Sequence, residues 1–133
     1  MSDTKPHLRI SEATREDISL LMALISELAD YERLSEEVVA TEADLRRSLF
    51  TGRPRAEAVI AWVDDVPAGF ALVFYNFSTF VGRPGLYLED LFVRPSYRRR
   101  GVGRRLLAHV AGLAVARGCG RLEWSVLGWN EMA

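Results

Sequence analysis

Cysteine is almost missing from this chain, with Cys119 alone among 133 residues. One thiol forms no internal disulfide, so a reducing compartment is the simpler expectation. Histidine is nearly as scarce, and neither His7 nor His109 lies near Cys119 in sequence. Without an imidazole base beside it, the thiol in Gly118-Cys119-Gly120 reads as buried or turn-lining rather than nucleophilic. No apolar run approaches the ~18 residues of a membrane span, and the opening Met-Ser-Asp-Thr-Lys-Pro is polar rather than signal-like, so a cytoplasmic protein without membrane attachment is expected. Charge of one sign is lacking too. The 17 basic and 18 acidic residues leave a net charge of −1, which counts against a general nucleic-acid binder. Repeats, low-complexity segments, linkers and a metal-ligating cluster are also absent. What remains is one expected domain over 1–133, with 49% hydrophobic content to fill a two-layer core.

His7 to Ile10 can serve as a first strand. Thr14-Arg15-Glu16-Asp17 has the helix-start pattern, and Ile18, Leu21, Met22, Ile25 and Leu28 then give a helix through about Ala29 one apolar face. Tyr31 to Val39 breaks that period and is rich in acids, Glu32, Glu36 and Glu37 among them. Such a loop is either solvated or laid over a cationic substrate. Thr41-Glu42-Ala43-Asp44 opens a shorter helix carrying Leu45 and Leu49, ended by Gly52 and Pro54. Ala56 to Val63 and Gly69 to Phe77 read as a hairpin around a turn at Asp64-Asp65-Val66-Pro67. Ser78 to Gly85, with two glycines and a proline, is expected to be a pocket-shaping loop. A strand over Leu86 to Val93, a helix from Val102 closed by Gly118, and a strand over Arg121 to Leu127 complete the chain. This order predicts an α/β (α+β) fold: a mixed sheet with helices on both faces. The last strand should lie parallel to Leu86–Val93, with a ligand cleft at their C-terminal ends.

The stretch from Leu86 to Arg105 organises the rest. An apolar strand bearing two adjacent carboxylates leads through a Pro-marked turn into a Gly-spaced, arginine-dense helix start. Free N–H groups and the positive end of a helix dipole make such a junction an anion site, so a phosphate-bearing ligand is expected. Two common phosphate loops are excluded. No Lys-Ser or Lys-Thr follows the glycines, as a nucleoside-triphosphate loop requires. The third glycine of a dinucleotide fingerprint would fall three residues after Gly103, where Leu106 stands.

Arg98-x-x-Gly101-x-Gly103 resembles the Arg/Gln-x-x-Gly-x-Gly/Ala signature of the GNAT superfamily of N-acetyltransferases. The resemblance implies acetyl-coenzyme A as cofactor, its pyrophosphate held by the loop amides. Acetyl transfer to an amine needs a base, because an amine of pKa ~10 must lose a proton before it attacks. Glu89 and Asp90 are both candidates. Along a regular strand they point to opposite faces, and burial of either would raise its pKa. They could instead pair with arginines such as Arg98 or Arg104. A strand amide beside Leu91 could stabilise the developing oxyanion.

Tyr87-Leu88-Glu89-Asp90-Leu91-Phe92-Val93, Tyr97-Arg98, Ala29-Asp30-Tyr31-Glu32 and Trp129-Asn130-Glu131 are similar to the diamine (spermidine/spermine) acetyltransferase branch. That similarity covers nearly all of Leu8 to Glu131. It implies Glu89 as the residue accepting the amine proton through water. It implies that Leu91, Phe92 and Val93 offer backbone groups to pantetheine, that Arg98, Arg99, Arg100, Gly101, Val102, Gly103 and Arg104 form the pyrophosphate loop, and that Asn130 touches the cofactor. Tyr31, Glu32, Glu89, Glu123, Trp124 and Ser125 would line the amine side. Ser78-Thr79-Phe80 stands where polyamine enzymes carry an Asp before the loop aromatic, which is more like the relatives acting on thialysine. The family continues past Trp-Asn-Glu with a helix bearing a general-acid tyrosine and two further strands. The expected fold therefore lacks those elements, and a homodimer would cover the open side of the last strand. The expected activity is transfer of acetyl to a small primary amine. Acetylation of a peptide amine and a non-catalytic coenzyme A-binding module are the alternatives.

Overall fold

A computed structural model describes residues 7–125 of the chain. The first expected strand is β1, Leu8–Glu12. Thr14 and Asp17 cap each other across a short 3-10 turn at Arg15–Asp17, with the Thr14 N–H donating to Asp17 Oδ2 at 2.9 Å. Helix α1 then runs Ile18–Tyr31. It is longer than its periodicity predicts. The helix stops where Arg33 turns left-handed at φ 60° and the Leu34 N–H returns to the Ala29 carbonyl at 2.7 Å. Tyr31 is thus the last helical residue rather than the first of a loop, and Ser35–Glu37 forms another 3-10 turn. Helix α2, Glu42–Leu49, begins at the predicted Thr41–Asp44 capping box.

Strands β2, Glu57–Val63, and β3, Val66–Ser78, turn at Asp64 and Asp65 alone, both with positive φ. The expected four-residue turn is shorter because Val66 and Pro67 already belong to β3. Pro67 pairs opposite Trp62, where the register leaves Ala68 unmatched; a bulge tolerates a residue without an N–H. Strand β4 runs Arg83–Val93, which corrects the expected loop at Ser78–Gly85. Phe77 pairs with Pro84 and Ser78 with Arg83, leaving a tight turn in which Gly82 has φ 72° and donates to the Ser78 carbonyl at 2.8 Å. Glycine and proline read as loop signals there, yet Pro84 and Gly85 sit in the ladder.

The 3-10 turn Pro95–Tyr97 leads to α3, Val102–Ala116, and β5, Leu122–Trp124. The five strands lie in order β1-β2-β3-β4-β5, antiparallel except for the parallel β4–β5 pair that the sequence predicted. The sheet has a core on each face. On one, Val102, Leu106, Val110 and Ala114 of α3 pack on Val59, Ala61, Ala71, Val73, Leu86, Leu88, Leu91 and Val93, with Cys119 half-buried at the edge. On the other, Ile18, Leu21, Leu24 and Leu28 of α1 and Leu45 and Leu49 of α2 cover Ile60, Phe70 and Phe92. Helices on both faces of a mixed sheet are the architecture expected. No helix among the described residues is long and apolar enough to cross a membrane.

Arg94 fastens the end of β4 to α1, donating to both Glu27 carboxylate oxygens at 2.9 and 2.8 Å and to the Pro67 carbonyl at 3.0 Å. Beside it, β3 and β4 approach closely at Gly69. A Cβ there would lie 2.3 Å from the Phe92 carbonyl oxygen and 3.1 Å from Val93 Cα, both backbone atoms that cannot rotate away. Gly69→Ala is therefore expected to lower unfolding stability by about 1–3 kcal/mol in denaturant titration. Gly112→Ala, in the open on α3 with nothing within 4 Å of its added Cβ, should be neutral or stabilising in the same experiment.

Candidate active site

The site begins with a fault in β4. Leu72 of β3 pairs with Asp90 and the next residue, Val73, with Leu88, so Glu89 has no partner in the ladder. Side chains of a regular strand alternate, yet Leu86, Leu88, Leu91 and Val93 all enter the α3-side core, and the step from 88 to 91 is odd. The bulge has reversed the phase. Had the alternation continued from Leu88, Asp90 would point among Leu106 and Val110, where nothing could solvate it. It stands instead on the α1 face, the face of Phe92.

Glu89 and Asp90 consequently do not point to opposite faces, as a regular strand would require. Both line one pocket of about 310 Å³, walled by Ile25, Leu28 and Ala29 of α1 and by Glu32, Leu34, Glu37 and Val38 of the segment after it. Four carboxylates thus meet an apolar wall. Glu89 is exposed and Asp90 half-buried. Burial, with the Glu89 and Glu32 charges adding to it, pushes the Asp90 carboxyl up from 3.8 to about 6. Neither Glu89 nor Asp90 forms an ion pair among the described residues, so the alternative of pairing with Arg98 or Arg104 does not hold.

Beyond the bulge no described strand pairs with β4 on the side away from β3. The pairing of β4 with β5 is Leu86 to Leu122, Tyr87 to Glu123 and Leu88 to Trp124, and stops there among the described residues. Among the described residues, Leu91, Phe92 and Val93 pair in the ladder with β3 alone. Leu91, Phe92 and Val93 are buried as whole residues, at 2%, 1% and 1% exposure.

The chain then reaches the glycine loop. Arg99 adopts φ 65° and Gly101, the N-cap of α3, φ 82°. A non-glycine residue held left-handed is uncommon and marks a constrained loop. No side chain caps α3. The first intrahelical bond runs from Arg105 N–H to the Gly101 carbonyl at 3.0 Å, so the N–H groups of Val102, Gly103 and Arg104 are left for another acceptor. Arg99, Arg100 and Arg104 are exposed and have no ion-pair partner among the described residues. Helix dipole, open amides and unpaired guanidinium groups fit a diphosphate. Arg98 differs from its neighbours. It is half-buried, its Nε donates to the Val93 carbonyl at 2.8 Å, and its Cζ lies 4.3 Å from the Tyr31 ring centre.

The other sequence-predicted residues divide. Glu32 and Glu89 share the acidic pocket, whereas Tyr31 is stacked on Arg98. Glu123 lies beside Tyr87 on β5; its carboxylate accepts from Asn76 Nδ2 at 3.1 Å and pairs with Arg121 Nε at 3.3 Å. Trp124 packs at the margin of the α3-side core and Ser125 follows it, exposed. None of these three lines the acidic pocket. Asn130 lies outside the described residues. Sequence reading named Glu37 among the acids of the run from Tyr31 to Val39 without making it a site residue, and did not name Leu34 or Val38.

A family model described as "Acetyltransferase (GNAT) family" matches residues 21–133. The thialysine N-epsilon-acetyltransferase of Caenorhabditis elegans is 38% identical over 127 residues, covering 96% of this chain and 78% of that protein. Its counterpart in Bos taurus is 36% identical over 132 residues, covering 93% and 77%. Among solved structures, an aminoglycoside acetyltransferase from an uncultured soil metagenomic sample superposes with a TM-score of 0.77 at 16% identity, covering 89% of this chain and 76% of that one, a likeness of fold. With the family model spanning most of the chain and both relatives aligned nearly end to end with it, the chain belongs to the GNAT family of acetyltransferases.

Proposed function

We propose that this enzyme moves acetyl from acetyl-coenzyme A to a small primary amine that carries a second positive charge, of the diamine or lysine-analogue type. One observation carries the reading: the bulge at Glu89 puts two carboxylates into one apolar-walled pocket. The names of the relatives, thialysine N-epsilon-acetyltransferases, support an amine at the end of a short charged chain. Four carboxylates favour a cation with more than one charge, and the apolar wall of Ile25, Leu28 and Ala29 suits the methylenes between charges.

The residues divide the work by position. Exposed Arg99, Arg100 and Arg104 and the amides from Val102 to Arg104 hold the diphosphate, while the backbone near Leu91 aligns the pantetheine arm, the Val93 carbonyl being held by Arg98. When bound, the cofactor would supply the thioester: the amine nitrogen bonds to its carbonyl carbon as the C–S bond breaks, and coenzyme A leaves as a thiolate that takes up a proton from solvent. An N–H of the β4 edge beside Leu91 donates to the carbonyl oxygen as charge develops there. Glu32 and Glu37 draw the ammonium in, and Glu89 and Asp90 receive the proton it must shed, directly or through one water. A carboxyl raised from 3.8 to about 6 is still ionised at neutral pH and is the stronger base by about two pKa units. A second copy of the chain adding along the open side of β5, and a cytoplasmic setting, belong to the same proposal.

Thiol release from acetyl-coenzyme A should appear with short diamines and lysine analogues and be at least tenfold weaker with monoamines of equal length, as removal of one of two desolvated ion pairs implies. Equal rates with both would remove the acidic pocket from substrate choice, and cofactor binding without release to any amine would leave a binding module. With a diamine as acceptor, kcat/KM should rise with pH through about 6 as Asp90 ionises. Asp90→Asn should abolish that limb, and Glu89→Gln should cost on the order of 10²-fold in kcat while leaving the cofactor Kd unchanged.

The same carboxyl sets a stability signature of determined sign. Folded Asp90 holds its proton more tightly than the unfolded chain does, so stability contributed by the protonated form is lost as pH rises from about 4 to about 6. Asp90→Asn should therefore raise stability at pH 7.5, by up to about 3 kcal/mol, and hardly change it at pH 4. Chemical denaturation at the two pH values reads this directly, and a loss at pH 7.5 would contradict it.

A further inference from the structure

The resemblance grouped Tyr31 with the amine-contacting residues, but its ring is engaged elsewhere. Arg98 Cζ lies over it at 4.3 Å from the ring centre, and over Phe92 at 5.7 Å. Arg98 Nε is already used on the Val93 carbonyl at 2.8 Å. Its Nη2 is buried and meets no acceptor among the described residues. A guanidinium clamped on its face and one edge, with a donor shut away from water and unfilled, is in a costly arrangement unless an oxygen arrives to accept from it. The motif that carries Arg98 leads straight into the helix start described above.

We propose that Tyr31 is a positioning residue for the cofactor: its ring holds the Arg98 guanidinium so that Nη2 can donate to an oxygen of bound coenzyme A. This rests on the reading of the glycine loop as the coenzyme A site. A planar cation on an aromatic face keeps its orientation without a hydrogen bond to the phenol, so the ring is what matters and the hydroxyl is not. Tyr31 is 38% exposed, so its removal opens no core cavity.

Isothermal titration of coenzyme A into the full chain and into Tyr31→Phe, Tyr31→Ala, Arg98→Ala and the double variant Tyr31→Ala/Arg98→Ala tests this, with thermal melts checking that each is folded. Tyr31→Phe should bind within about twofold of the unsubstituted chain and Tyr31→Ala roughly tenfold more weakly, the scale of a partly desolvated cation–π contact. Arg98→Ala should lose at least as much, and the double variant no more than Arg98→Ala alone, because the ring acts through the guanidinium. KM for acetyl-coenzyme A should rise in Tyr31→Ala, while KM for the amine at saturating cofactor moves less than about twofold. Unchanged coenzyme A affinity in Tyr31→Ala, or Tyr31→Phe as damaging as Tyr31→Ala, would overturn the inference. If Tyr31→Ala does not fold, additive losses in a cycle of Arg98→Ala with Tyr31→Leu would overturn it equally. Failure of the unsubstituted chain to bind coenzyme A would instead bring down the reading of the loop, and this inference with it.

Discussion

Where β4 passes Glu89, the ladder to β3 takes up one residue too many, and every side chain beyond that point changes face. Leu91 and Val93 are thereby returned to the α3-side core and Phe92 to the α1 side, each close to fully buried. Burying those three side chains is worth about 1.5–3 kcal/mol apiece, and this fixes the register. The acids must then go where the register leaves them. A bulge also increases local twist. Pocket and phase reversal are therefore two consequences of one inserted residue.

Charge is sorted around that break. On the α1 face stand Glu32, Glu37, Glu89 and Asp90, and past the end of β4 come Arg98, Arg99, Arg100, Arg104 and Arg105. The two groups do not neutralise each other, although carboxylates and guanidiniums elsewhere do, as Arg94 with Glu27 and Arg117 with Glu57 show. Leaving four carboxylates around an apolar wall costs stability, visible in the raised pKa of Asp90. A fold without a use for the arrangement could have placed Asn or Ser at position 90 with less strain, which is the usual mark of a site where function and stability pull apart.

Much of this was legible in the residues, and the misses have physical causes. The glycine loop, the capping boxes at Thr14 and Thr41 and the parallel β4–β5 step are local patterns, and local patterns survive folding. The bulge is not local. Leu-Glu-Asp-Leu-Phe reads equally well as a regular strand, and only the competition of two cores for Leu88, Leu91 and Phe92 decides the phase. The segment at Ser78 to Gly85 misled for a similar reason. Its glycines and proline permit a loop, whereas Asn76, Phe77 and Ser78 find partners across the hairpin in Gly85, Pro84 and Arg83. Tyr31 looked like a loop residue because the apolar period ends before it, while the helix ends only at the left-handed Arg33.

The two residues that α1 gains beyond Ala29 link the two halves of the site. Tyr31 and Glu32 are adjacent, yet one touches Arg98 at the cofactor loop and the other lines the acidic pocket. Successive residues on a helix are about 100° apart, so a single end of a helix can face two sites without bending. The end is pinned from several sides: Glu32 N–H returns to Leu28 at 3.0 Å, Leu34 N–H to Ala29, and Glu27 holds Arg94 just past β4. A displacement of Arg98 therefore reaches Glu32 through one helical residue and no flexible linker. Because the carboxylates around Asp90 include Glu32, the charge felt at the base depends on where that helix end sits. The arrangement makes the glycine loop and the acidic pocket parts of one unit, assembled by α1 on one side of β4 and by the bulge within it.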